Sequence, residues 1–257
     1  MGDLLGGSFR VAEIGGVPIR IHVLFVLWIG FGLLQAKDPG GELLFQLVLF
    51  GSVLLHELGH VAGARAVGGD ASEVILWPLG GLTSMRVPRT AKAEWISTAA
   101  GPAVNLLLAA LGLAVLAAIG ALAPAGEAGG EGLLRAMWHG SGTPLGRVAG
   151  LAALVNGALF LFNVLPAYPM DGGRILRATL WPLLGWRTAT ILATGAAIAF
   201  GVGFIGLGLL AGWGLFLPII GLIVVMHGWR ELQVALETPP WSDRMPFERR
   251  DDAPRGP

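Results

Sequence analysis

From Leu43 to Val67 the chain is apolar almost without interruption, yet the run contains His56, Glu57 and His60. A hydrocarbon layer of about 30 Å takes roughly 20 helical residues, and backbone inside it must satisfy its hydrogen bonds within the segment. This run is therefore read as a membrane-spanning helix. Five more apolar runs are read the same way: Ile19–Gln35, Trp95–Ala121, Arg147–Leu165, Ala189–Leu210 and Gly214–Gly228. Only 13% of the 257 residues are charged and 54% are hydrophobic, whereas soluble domains are charged at about 25%. The expected fold class is an all-α polytopic membrane protein of about six spans over residues 19–230. Residues 1–18 form an N-terminal segment, and the polar, proline-rich residues 231–257 a disordered tail.

Orientation is read from the basic residues in the connections. With six spans, the termini and the second–third and fourth–fifth loops share one side, which holds 14 of the 17 Lys and Arg. Lys37, Arg135 and Arg147 lie on the other. Both termini are expected in the cytosol, and the bias supports an even number of spans. Met1–Pro18 lacks the composition of a cleavable signal peptide. The chain has no cysteine, so thiolate ligands and disulfides are excluded. No phosphate-binding glycine loop or nucleic-acid motif is present.

Ionisable groups at bilayer depth are costly and mark function more often than packing. His56 and His60 leave one helix face a turn apart, the H-E-x-x-H spacing that gives a tetrahedral metal two nitrogen ligands. Glu57 falls about 100° further round the helix, within reach of a metal-bound water as general base. In a soluble protein the same five residues are often a metal-free surface helix. An apolar span makes that reading the weaker one.

Three other stretches bear on the site. Val74–Trp77 and Leu82–Met85 are β-prone runs flanking the turn composition Pro78–Gly81, so a hairpin is expected between the second and third spans, on the cytosolic side. Such a hairpin either captures an extended substrate at its edge or merely packs on the bundle. Asn105 follows Gly101-Pro102-Ala103-Val104 and puts an amide at the depth of the His pair. By itself it reads as an interhelical hydrogen bond. Pro166, Pro169 and Gly172-Gly173 must unwind the fourth span after Leu165, and the unwound piece contains Asp171. Alone, Asp171 reads as a solvated loop aspartate. Beside two histidines it would complete a His₂Asp set with a fourth position open to water. His22, His139 and His227 are read as interfacial residues.

Four local features resemble the site-2 protease family of intramembrane zinc metalloproteases: GGVPIRIH at Gly15–His22, HELGH at His56–His60, GPAVN at Gly101–Asn105, and NVLPAYPMDGGR at Asn163–Arg174. The resemblance implies one zinc ion on His56, His60 and Asp171, with Glu57 as general base. It implies that Asn105 helps position the substrate or its oxyanion, and that Asn163 either shapes the unwound segment or takes part in the chemistry. It also implies a substrate with a single membrane span, cut within or near that span and released to the cytosol in regulated proteolysis. The expected setting is a bacterial inner membrane, with the site toward the cytosolic side. The tail after Arg230 is too short for the PDZ or CBS domains of many relatives, so a bare six-span core is expected, with homo-oligomers left open. Two rivals fit less well. A membrane zinc carrier or sensor would want acidic or His residues along a path on both sides of the site. A prenyl-protein-type protease takes a Glu as third ligand, not an Asp-Gly.

Overall fold

A computed structural model describes residues 7–78, 80–120, 137, 142–211 and 214–238. It has two compact units, Met1–Val87 with Ala100–Phe162, and Pro88–Ala99 with Asn163–Pro257. His139 and residues 239–257 of the expected tail lie outside the described residues.

The first unit contains a sheet in the order β1-β2-β3-β4: β1 Ser8–Ile14, β2 Val17–His22, β3 Asp70–Trp77 and β4 Gly80–Arg86. The expected hairpin is β3–β4, an antiparallel pair running from Asp70↔Arg86 to Trp77↔Gly80. The all-α class needs correcting here, because β1 and β2 stand where an N-terminal segment and the start of a first span were expected. The reason is local. Gly15 and Gly16 have φ of 57° and 82°, and two consecutive positive-φ residues form the two-residue turn whose twist matches an antiparallel hairpin. Ile14 and Val17 pair across it.

Strands β2 and β3 are parallel, with Ile19 opposite Val74, so a crossover must join them. That crossover is a helical pair. Helix α1 (Val23–Gln35) is capped by His22, whose Nδ1 accepts from the Leu24 N–H at 3.2 Å. Helix α2 (Pro39–Ala66) starts at Asp38, which accepts from the Gly41 N–H at 3.1 Å, and carries Pro39 in its first turn. The buried side of the sheet (Val17, Ile19, Val74, Leu76) packs with Phe25 of α1 and Phe50, Val53 and Val61 of α2. The Phe25 and Phe50 rings meet edge-on at 4.1 Å. The helix bearing the His pair is thus fixed to the sheet along one face.

The remaining helices are α3 (Ala91–Ala118), α4 (Pro144–Val164), α5 (Asp171–Leu210) and α6 (Phe216–Glu237). Thr90 caps α3 by accepting from the Ala93 N–H, and Thr143 caps α4 by accepting from the Gly146 N–H, both at 3.1 Å. Five helices among the described residues are long and apolar enough to cross a membrane, whereas Val23–Gln35 has 13 residues. At 1.5 Å per residue that is about 20 Å, so the first of the six expected spans is short and begins after a strand.

In the second unit, α5 begins at Asp171, where the fourth–fifth loop was expected to run to Ala189, and changes direction at Gly185, φ 78°. Helices α5 and α6 press together where a Cβ on Gly201 would lie 2.8 Å from the Gly221 carbonyl oxygen. Of the glycines in this half of α5, Gly201 and Gly208 sit at such close contacts, while Gly195, Gly203 and Gly206 have nothing within 4 Å of a Cβ position. Helix α6 also continues beyond Arg230, where the tail was expected to begin, to Glu237.

Candidate metal centre

Helical spacing brings the two imidazoles of α2 together, with Nε2 of His56 3.1 Å from Nε2 of His60 and the rings at 88°. Both residues are buried. The room they occupy is made by glycine on both helices. A Cβ on Gly59 would lie 2.7 Å from the Ala100 carbonyl oxygen, so α2 and α3 approach backbone to backbone. A Cβ on Gly101 would collide with the His60 ring and with Cε1 of His56.

The other nitrogen of His56, Nδ1, is 2.5 Å from Oδ1 of Asn105 on α3. Asn105 is fully buried, and its Nδ2 donates to Oδ1 of Asn156 on α4 at 2.8 Å. Nδ2 of Asn156 donates in turn to Ser52 Oγ at 2.8 Å and to the Ala152 carbonyl at 2.9 Å. Ser52 lies one turn before His56 on α2, so the chain of bonds leaves that helix and returns to it. Asn156, Ser52 and the contact described next were absent from the sequence reading. An Asn in the middle of the apolar run of α4 was the available signal for the first. Nothing marked the serine.

Glu57 faces the sheet. Its Oε2 accepts from Thr83 Oγ1 at 2.5 Å, and a Cβ on Gly81 would fall on its carboxyl group. Both residues belong to β4, an edge strand of the sheet. The hairpin and the carboxylate next to the His pair are therefore in contact.

These residues fit a metal. Two ligands about 2.0–2.1 Å from a tetrahedral zinc stand roughly 3.3 Å apart, close to the observed 3.1 Å between the ring nitrogens. A carbonyl oxygen on the far ring nitrogen is the partner that metal-bound histidine usually has.

Asp171 belongs to the second unit. The chain leaves α4 at Val164, closes turns from the Ala167 N–H to Leu165 O and from the Met170 N–H to Ala167 O, and re-enters a helix at Asp171. Gly172 is required there, because a Cβ would collide with the carbonyl oxygens of Val164 and Leu165. Asp171 thus sits in the first turn of α5, where the helix dipole favours negative charge. Asn163 is in the last turn of α4. His22 caps α1, and His227 lies within α6 with Nδ1 3.0 Å from the Ile223 carbonyl oxygen.

The second unit has its own buried polar cluster. Glu94 on α3 is 1% exposed and accepts from both Nε and Nη2 of Arg177 on α5. Arg174 Nε lies 3.9 Å from the same carboxylate, and Arg177 Nη1 lies 3.5 Å from Glu231. The guanidinium of Arg177 also covers the rings of Tyr168 and Trp186 at 5.6 and 5.5 Å. Burial pushes the Tyr168 phenol up, so it stays protonated.

Residues 44–207 match the model of peptidase family M50. The chain belongs to this family. It is 31% identical over 91% of its length to a Synechocystis protein whose name gives it as a candidate zinc metalloprotease. It is 30% identical over 88% of its length to the zinc metalloprotease MJ0392 of Methanocaldococcus jannaschii. It covers 60% and 61% of those relatives, and so spans about three-fifths of their length. A solved structure of a site-2 protease from M. jannaschii superposes with a TM-score of 0.57 at 27% identity, over 88% of this chain and 95% of that one. Zinc is the metal in the relatives' names, and two imidazoles with a carboxylate are a donor set suited to it. With its five long apolar helices, this M50 member is a multi-pass membrane protein.

Proposed function

We propose that this chain is an intramembrane zinc metalloprotease that hydrolyses a peptide bond within or near the membrane span of a single-span protein. The observation that carries the proposal is the pairing of converging His56 and His60 nitrogens, 3.1 Å apart, with a Glu57 carboxylate that touches an edge strand. His56, His60 and Asp171 would hold the zinc, Asp171 being assigned from the Asn163–Arg174 motif and the family. Bound there, zinc supplies an acidified water and a Lewis acid for the scissile carbonyl. Glu57 takes the proton of the attacking water and passes it to the leaving amine. The outer edge of β4 receives an extended substrate segment by strand addition, which presents its backbone beside Glu57.

The excess of Lys and Arg in alternate connections supports cytosolic termini and a site toward the cytosolic side of a bacterial inner membrane. Release of a transcription factor, or destruction of an anti-sigma factor, is the signalling role that suits such a product. The test compares membrane proteomes of cells expressing the unaltered chain or its Glu57→Gln form, both checked for folding and metal content. Single-span proteins should shorten only with the unaltered chain, and loss of Glu57 should slow cleavage by about 10²–10⁴-fold. Equal metal binding with no substrate difference would instead favour a zinc carrier, to be followed by metal-flux assays.

A further inference from the structure

The hydrogen bonds linking His56, Asn105, Asn156 and Ser52 have a direction, and one end of the chain is fixed by backbone. The Ala152 carbonyl can only accept, so the Asn156 atom 2.9 Å from it must be the amide nitrogen. That places Oδ1 of Asn156 toward Asn105, which must present its own NH₂ at 2.8 Å. Oδ1 of Asn105 then faces His56, and Nδ1 of His56 must carry the proton in their 2.5 Å contact. A neutral imidazole protonated at Nδ1 has its lone pair on Nε2, the atom turned toward Nε2 of His60. Ser52 Oγ takes the second Asn156 N–H at 2.8 Å, which completes the donors of that amide. Neither amide can flip without setting two acceptors or two donors against each other, and both asparagines are almost fully buried, 0% and 1% exposed.

We propose that Asn156, anchored by the Ala152 carbonyl and seconded by Ser52, is a positioning residue. It orients the Asn105 amide and so fixes His56 in the tautomer that ligates metal before any metal arrives. This rests on the reading of His56 as a zinc ligand. It assigns Asn105 to the imidazole, and it adds two residues on two helices to the machinery of the site. The arrangement spares the metal the work of selecting a tautomer, and outer-shell partners of this kind are worth about 10–100-fold in metal affinity.

The test uses the full-length chain in lipid nanodiscs with ¹⁵N-labelled histidine. The His56 signals are identified by their loss in a His56→Gln spectrum, and zinc affinity is measured by competition with a chelator. The metal-free unaltered chain should show His56 protonated at Nδ1. Asn156→Leu should convert it to a tautomer mixture and weaken zinc by about 10–100-fold. Ser52→Ala, which keeps the Ala152 anchor, should retain the tautomer. A metal-free unaltered chain with His56 protonated at Nε2 overturns the proposal, and this measurement needs no variant to fold. A folded Asn156→Leu chain with unchanged tautomer and affinity also overturns it. Failure of the unaltered chain to bind zinc, with the Nδ1 proton in place, would sink the metalloprotease reading and leave the directional chain standing.

Discussion

Two buried polar clusters among the described residues do opposite work with opposite chemistry. The hydrogen bonds that lead away from Nδ1 of His56 run through neutral groups: two amides, a hydroxyl and a backbone carbonyl. Around Glu94 the groups are charged: Arg177 and Arg174 lie beside its carboxylate and Glu231 beside Arg177, whose guanidinium covers the Tyr168 and Trp186 rings. Charges taken out of water hold strongly and tolerate rearrangement, since a guanidinium can meet a carboxylate in several ways. Amides hold weakly, but each has a donor end and an acceptor end, so a chain of them carries orientation. The charged cluster is built to resist separation and the neutral one to specify a proton.

Substitutions can break this contrast, and the largest effect is expected in the charged cluster. Arg177→Met leaves Glu94 buried without its main partner and should cost about 3–5 kcal/mol of stability, with much of it recovered in Arg177→Met/Glu94→Leu. Reversible unfolding in mixed micelles measures both, and an additive double variant would show that the pair is not coupled. Next is Gly101→Ala, whose methyl group meets the His60 and His56 rings. It should cost about 1–3 kcal/mol as overpacking and should also lower zinc stoichiometry. Gly157→Ala on α4, with nothing within 4 Å of its Cβ position, should do neither.

Thr83→Val removes the hydroxyl held by Glu57 and should lower kcat by about 10-fold, the equivalent of one ordinary hydrogen bond, with KM unchanged. Thr83→Ser should restore it. A rise in KM would move Thr83 from base positioning to substrate binding. The smallest effect is expected at the exposed Arg65–Asp70 pair of α2 and β3. The Arg65 hydrogen bond holds the Asp70 carboxyl below its usual range. Its contribution is therefore present above about pH 3.9 and lost as pH falls through the lower folded value. Stability curves of Asp70→Asn and the unaltered chain should separate slightly at neutral pH, converge in acid, and coincide in high salt.

What the sequence made legible follows from how local each signal is. HELGH needs only one helix turn to bring His56 and His60 together, whereas Asp171-Gly172-Gly173 reads as unwound chain and in the structure opens α5. The β3–β4 hairpin could be read from β-prone runs about a turn composition. The β1–β2 hairpin was equally legible in Gly15-Gly16, but the residues before it are mixed in charge and read only as an N-terminal segment, and Ile19–His22 read as the start of a span. Its parallel partner β3 is far away in sequence, and no local pattern announces such a pairing. Asn156 and Ser52 were missed for the same reason. An amide in an apolar helix shows that it needs a partner, and only the assembled helices show which one.

The parallel pairing of β2 with β3 also sets a timetable for making the protein. Ile19 and Val74 are 55 positions apart, and a ribosome adding about 5–20 residues per second needs roughly 3–11 seconds to deliver the second after the first. During that interval the nascent chain has the early hairpin and the histidine helix, with no β3 to pair with β2. The strand that contacts Glu57 is synthesised later still, so the carboxylate is in place before the hairpin that covers it. Until β3 is made, the edge of β2 that it will pair stays open.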